Sequence, residues 1–191
     1  MTNYRTPTAT RAQRPRNTGR FVVGSGAGVL MWGLLLGVVV GAIWGALRPT
    51  YIGNMKDGML LVDEAASPVN VEFSSFISFA ILTGLAGAII AIIAFLIVGG
   101  ISGVGMLLWS GVVAFFAAVS FYVVGEWTAN ALHPMPEHSS GNLEGVKLVP
   151  ALAPGVGWLA GPFMATLAYW TMALVATPEE LEASSPADDA V

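Results

Sequence analysis

The chain alternates long apolar stretches with short polar ones. Residues 21–47 hold 27 positions without a charge, and three further apolar runs follow at 73–98, 104–124 and 151–176. At about 1.5 Å per residue, each run is long enough as a helix to cross the roughly 30 Å hydrocarbon layer of a bilayer. The pattern predicts an all-α fold: a polytopic membrane protein of four transmembrane helices, one short cytoplasmic turn and two modest outer loops. The first run is much longer than the apolar core of a cleaved signal peptide, about 7–15 residues, so it is expected to remain as a span.

Within that first run Gly33, Gly37, Gly41 and Gly45 recur at every fourth position. Four residues advance about 400° around an α-helix, so these glycines form one broad face that drifts by roughly 40° per step. Val38, Val39, Val40 and Ile43 flank it as stiff, β-branched walls. Lipid chains are as apolar as leucine, so helices in a membrane associate through close packing, which small residues permit. The second run repeats the device with Ala80, Gly84 and Ala88, and again with Gly87 and Ala91; it is read as the groove that receives the first helix. The fourth run carries Ala153, Gly157, Gly161 and Ala165 at the same spacing. The pattern leaves open whether these faces close within one chain or between subunits. Pro154 suits a first helical turn, whereas Pro162 is expected to kink the fourth helix by removing a hydrogen bond.

The connections have their own signals. Arg48-Pro49 ends the first helix, and residues 51–62 read as a hairpin around Asp57-Gly58, a pair that favours a type I′ turn. Gly99-Gly100-Ile101-Ser102-Gly103 is short enough to force the second and third spans into an antiparallel hairpin. It lacks the lysine of a phosphate-binding loop and joins helices rather than a strand and a helix. The third run is bulky, with Trp109, Phe115, Phe116, Phe121 and Tyr122; Trp109 and Tyr122 lie towards its ends, as interfacial anchors would. Ser110 and Ser120 are expected to bond to backbone carbonyls.

Charge sets the orientation. The chain is 55% hydrophobic and only 10% charged, against about 25% charged in a soluble domain. Residues 1–20 carry Arg5, Arg11, Arg14, Arg16 and Arg20 and no acid; residues 178–191 carry five acids and no base. Arginines beside the first span place that tail in the cytoplasm, and an even number of spans returns the other end to the same side. The expected organisation is a disordered basic tail at 1–20, a membrane domain at 21–177 and an acidic tail at 178–191, in a multi-pass protein of the bacterial plasma membrane. Five arginines with a single aromatic among them do not make a nucleic-acid-binding domain.

Candidate chemistry is sparse. There is no cysteine. Asp63-Glu64 is an adjacent pair in a polar loop and reads as solvated. His133 and His138, with Glu137 and Glu144, lie in the second outer loop; the histidines are five apart, and Pro134 and Pro136 argue against a helix between them. No histidine falls inside a span, which excludes membrane-embedded bis-histidine haem ligation. Proton relays and intramembrane catalysis use ionisable groups within the bilayer, and the interiors of the four runs hold none. No residue is assigned a catalytic, cofactor-binding or metal-binding role.

The residues that suggest kinship run from Gly41-Ala42-Ile43-Trp44-Gly45-Ala46-Leu47-Arg48-Pro49, through Glu72-Phe73 to Phe79. They continue with the long outer loop after the third span, Pro150-Ala151 to Gly161-Pro162, and Ala168-Tyr169. In this order they resemble an actinobacterial family of small four-span membrane proteins of unknown function, over most of residues 20–176. In size and architecture the chain is also similar to accessory membrane subunits of the cytochrome bcc–aa3 respiratory supercomplex. With no ionisable group inside the spans, the small-residue packing faces, the aromatic third helix and the two modest outer loops fit a non-catalytic accessory or assembly subunit that contacts the lipid bilayer and other integral membrane subunits, without a cofactor; the resemblance suggests the respiratory supercomplex as the assembly. The alternative is a small oligomeric transporter of a small solute or lipid.

Overall fold

The computed structural model describes residues 18–56, 59–98, 103–134 and 143–176. The two charged tails, Asp57-Gly58, the glycine-rich turn up to Ser102, Glu137 and His138 lie outside these residues. Among the described residues four helical stretches are long and apolar enough to cross a membrane: α1 (Thr18–Leu47), α2 (Val71–Val98), α3 (Val104–Leu132) and the stretch Gly155–Val175, in which a 3-10 turn at Gly155–Leu159 leads into α4 (Ala160–Val175). The fold is the expected four-helix membrane architecture, with a small sheet added at one end.

α1 packs chiefly on α3, and α2 chiefly on α4, with α3 also touching both α2 and α4. The expectation that α2 receives the glycine face of α1 is therefore corrected. The reason is the steric profile of the facing helix: α3 turns Ala117 and Gly125 towards α1, and between them the backbone at Phe121 comes equally close. Three apolar clusters fill the bundle along its length, one around Val29, Ile90 and Val113, one around Trp44, Phe79 and Phe121, and one around Ala91, Ala114 and Tyr169. The outward surfaces stay apolar: Trp32, Leu35, Val39 and Ile43 on α1 are all more than half exposed, which is the surface a lipid solvent requires.

Pro162 is the third residue of α4, just beyond the 3-10 turn. Its missing N–H thus falls where helix type changes, in a first turn that tolerates proline, and not in the interior of one continuous helix. Residues 151–154, expected to be helical, are not. At the start of α2, Asn70 takes a left-handed backbone (φ 58°), and its carbonyl accepts the N–H of Ser74; asparagine is among the few side chains that visit this region readily.

Between α1 and α2, β1 (Tyr51–Lys56) pairs antiparallel with β2 (Met59–Val62), the hairpin read from the sequence. β3 (Leu143–Leu148), from the segment between α3 and α4, adds to the other side of β1, giving the order β2-β1-β3. That third strand was not foreseen, because Leu143-Glu144-Gly145-Val146-Lys147-Leu148 alternates weakly and has a glycine in its middle. The glycine is used: at φ 74° it sits where the pairing with β1 slips, and its N–H donates to the Asn54 side chain at 3.0 Å.

Candidate functional site

The glycines of α1 mark a line of backbone contact inside the chain. A Cβ on Gly37, Gly41 or Gly45 would overlap the carbonyl oxygen of Ala117, Phe121 or Gly125, respectively. At Gly33 it would meet the Val113 side chain at 2.5 Å. The match runs in step along both helices: positions four apart on α1 face positions four apart on α3. α2 meets α4 in a similar way at one point, where Gly87 lies on the carbonyl of Gly161. Gly84 is looser, facing the Met164 side chain at 3.3 Å, and Gly157 faces the rings of Phe76 and Phe79. A Cβ on Gly161 would lie 3.3 Å from the carbonyl oxygens of both Ala114 and Thr83, so this position faces α3 and α2 together.

At the sheet end of the bundle these helices converge on one cation. Arg48 follows the last residue of α1 and is only 4% exposed. Its Nε donates to Ser75 Oγ at the start of α2, Nη1 donates to the Glu126 carboxylate near the end of α3, and Nη2 donates to the carbonyl of Pro150 ahead of α4. The guanidinium also lies 5.0 Å from the centre of the Trp44 ring, one turn back on α1. Trp44 in turn donates to Ser78 Oγ at 2.9 Å, and Ser78 donates to the carbonyl of Ser75. The planar fork of arginine suits this task, since its donors diverge in fixed directions to three separate elements.

The sequence alone does not reveal this cluster. Arg48 reads as a helix stop and Glu126 as the start of a loop. In the structure α3 continues to Leu132, which carries Glu126 inside the helix and towards Arg48. The available signal was Arg48 and two glutamates, Glu72 and Glu126, each adjoining an apolar run at the same end of the spans, with nothing in the spacing to say which glutamate meets the arginine. A buried charge without a partner is costly, so two such charges are expected to meet.

Aromatic rings surround the cluster on the membrane side. Phe79 packs edge-on to Trp44, Phe121, Tyr122 and Trp158, with ring centres 5.6–6.2 Å apart. Tyr122 Oη donates to the carbonyl of Leu152 at 3.0 Å, and Trp109 Nε1 donates to that of Gly26 at 3.1 Å. Both residues therefore tie helices to neighbouring backbone, a role beyond the interfacial anchoring expected from their positions. Ser110 donates to the Leu107 carbonyl, as anticipated.

The polar loop residues are occupied locally. The Asp63 carboxylate accepts the N–H groups of Ala65 and Ala66, forming a turn after β2. His133 caps the end of α3, its ring beside the Ala129 carbonyl. The structure does not bring Asp63, Glu64 and His133 together as one site; among the described residues no three His, Asp or Glu side chains are grouped as metal ligands would be. Every buried side-chain nitrogen or oxygen among the described residues has a hydrogen-bond partner. At the opposite end of the bundle, an apolar cleft of about 250 Å³ opens between Phe95, Leu107, Tyr169 and Trp170.

Chemically, the Arg48 cluster holds charge in place. The groups around its guanidinium are acceptors already engaged. The cluster joins the ends of α1, α2 and α3 to the segment leading into α4. No family model matches the chain, and no curated protein or solved structure matches it.

Proposed function

We propose that this chain is a non-catalytic accessory or assembly subunit of a larger plasma-membrane complex, with both termini in the cytoplasm. The carrying observation is the use made of Arg48, the one deeply buried cation among the described residues: it holds four elements together through engaged acceptors. The α1 glycines likewise serve internal packing. These features support a rigid bundle whose contribution is its shape and its apolar outer surface. The actinobacterial respiratory supercomplex is the assembly that the sequence resemblance suggests.

The test is recovery of the native protein from membranes in mild detergent. Comigration with other integral subunits in a stable large complex is the expected result. A homo-oligomer enclosing a polar cavity would instead establish the transporter reading. Orientation is tested in the same cells: the chain has no cysteine, so single cysteines introduced at 51–56 or 143–147 should react with an impermeant reagent from outside. Reaction at the termini alone would reverse the topology.

A further inference from the structure

Helices α2, α3 and α4 meet closely in mid-bundle and part towards the end away from the sheet. A Cβ on Gly87 would overlap the Gly161 carbonyl of α4, and one on Gly111 would lie 3.1 Å from the Thr166 side chain. One turn further along α2 and α4, Ala91 and Ala165 are buried. The next turn brings Phe95 and Tyr169, whose rings meet edge-on with centres 5.5 Å apart. On α3, which runs the opposite way, Leu107 stands one turn from Gly111 towards the same end. Protein interiors are close-packed, so large side chains at one level hold apart backbones that touch two turns away. Between them lies the cleft of about 250 Å³, with Phe95, Leu107 and Tyr169 as its walls and Val104, Trp170 and Ala173 exposed at its mouth.

Position and size indicate what fills it. The walls belong to three of the apolar spans, so the medium at the mouth is lipid. An apolar cavity of roughly 150 Å³ suffices for a benzene ring, and this one has room for a stretch of hydrocarbon chain. A helix is about 10–12 Å across with its side chains, and one turn of it needs about 400 Å³ or more. Another span can therefore lie across the mouth but cannot enter. Residues 178–191, which follow α4 at this end, carry five acids, and carboxylates gain nothing from an apolar recess.

We propose that this cleft is a binding site for one acyl chain of a phospholipid, taken from the leaflet on the side away from the sheet and kept as a resident lipid. Moving from bulk lipid into the cleft brings no hydrophobic gain, since both are apolar. Retention comes from packing: a chain in the cleft touches three helices at once, where a chain on the outer surface touches one. Recognition is of the hydrocarbon, so the headgroup is not selected. The site is independent of the accessory role.

The test is the number of phospholipids that stay on the protein in mild detergent, read by native mass spectrometry. The natural sequence should keep one more per chain than Ala173→Phe, whose ring fills the mouth from an exposed position. Leu174→Phe, also exposed but outside the cleft, should keep as many as the natural protein. A phospholipid with a diazirine in one acyl chain should label Phe95 and Leu107 saturably in the natural protein, and unlabelled phospholipids of different headgroups should compete equally. Equal retention by the two phenylalanine variants would overturn the proposal, as would labelling confined to outward residues such as Leu96 and Phe163. Lipid gained only after removal of residues 178–191, or only with Ile101→Ser, would show the chain filling its own cleft and would overturn it too. So would labelling that vanishes when copies associate, which would assign the cleft to an interface. Retained lipid on a protein recovered without other subunits would uphold the site and remove the accessory role alone.

Discussion

The α1/α3 and α2/α4 seams use the same device to different extents. On α1, Gly37, Gly41 and Gly45 each meet a carbonyl of α3, so the two backbones stay close over more than two turns. On α2 only Gly87 meets backbone, at Gly161, and one turn earlier Gly84 faces a methionine side chain. The first seam is a continuous line and the second a single point of closest approach. Small residues at spacing four thus permit close packing, but the facing helix decides how far it extends. α3 supplies Ala117 and Gly125 in step with the α1 glycines, while α4 begins only at Ala160 and crosses α2 near its first turn.

The largest expected effect breaks the continuous seam. Gly37→Leu with Gly41→Leu forces branched side chains into the backbone of α3, where overpacking costs about 1–3 kcal/mol per site or more. Loss of the folded bundle in thermal unfolding is expected. Gly28→Leu is the matched control: a Cβ there meets nothing within 4 Å, so unfolding should be nearly unchanged. Collapse of both variants alike would mean that α1 tolerates leucine nowhere, and the contrast would fail.

Next comes the clamp that closes both seams at one end. Arg48→Met leaves Glu126 without its cation, and breaking a buried pair from one side costs roughly 3–5 kcal/mol. The Glu126 side chain keeps 21% exposure, so the loss should fall below that range. Arg48→Met with Glu126→Gln should be less destabilised than Arg48→Met alone. Arg48→Lys should not restore stability, since an ammonium cannot reach Ser75, Glu126 and Pro150 in the fork geometry. Unfolding in detergent measures all three, and full rescue by lysine would contradict the three-way clamp.

A smaller difference sharpens the comparison within α2. Gly87→Ala should be clearly destabilising because its Cβ meets the Gly161 backbone. Gly84→Ala should be near neutral, because the Met164 side chain can yield and alanine favours the helix by about 1 kcal/mol over glycine. Equal costs would show that the second seam is also continuous. Smallest of all, Trp109→Phe and Tyr122→Phe each remove one hydrogen bond to a neighbouring segment and should cost about 1 kcal/mol.

Much of this was legible in the sequence, and the losses have physical reasons. The four spans and the first hairpin follow from uncharged run length and from Asp57-Gly58. The α1 glycine face was legible as a face, but not its partner: the third run reads as bulky, whereas α3 brings the backbone at Ala117, Phe121 and Gly125 against the glycines, a match that composition does not display. The end of α3 was set too early at 124, since Glu126 interrupts the apolar run; once paired with Arg48 that charge belongs inside the helix. The fourth span was read as helical from 151, whereas Pro154 and Pro162 bracket a 3-10 turn that apolar composition does not signal. The Arg48 clamp depends on residues far apart in sequence, and no local pattern displays it.

The central claim is that the continuous glycine seam closes within one chain. It is tested most directly by thermal unfolding in lipid nanodiscs holding a single copy, comparing the natural sequence with the Gly37→Leu/Gly41→Leu variant. A seam internal to the chain predicts loss of the cooperative unfolding transition in these single-copy discs. A variant that unfolds like the natural protein when alone, and fails only when copies or partners must associate, would place the seam between subunits and contradict the account.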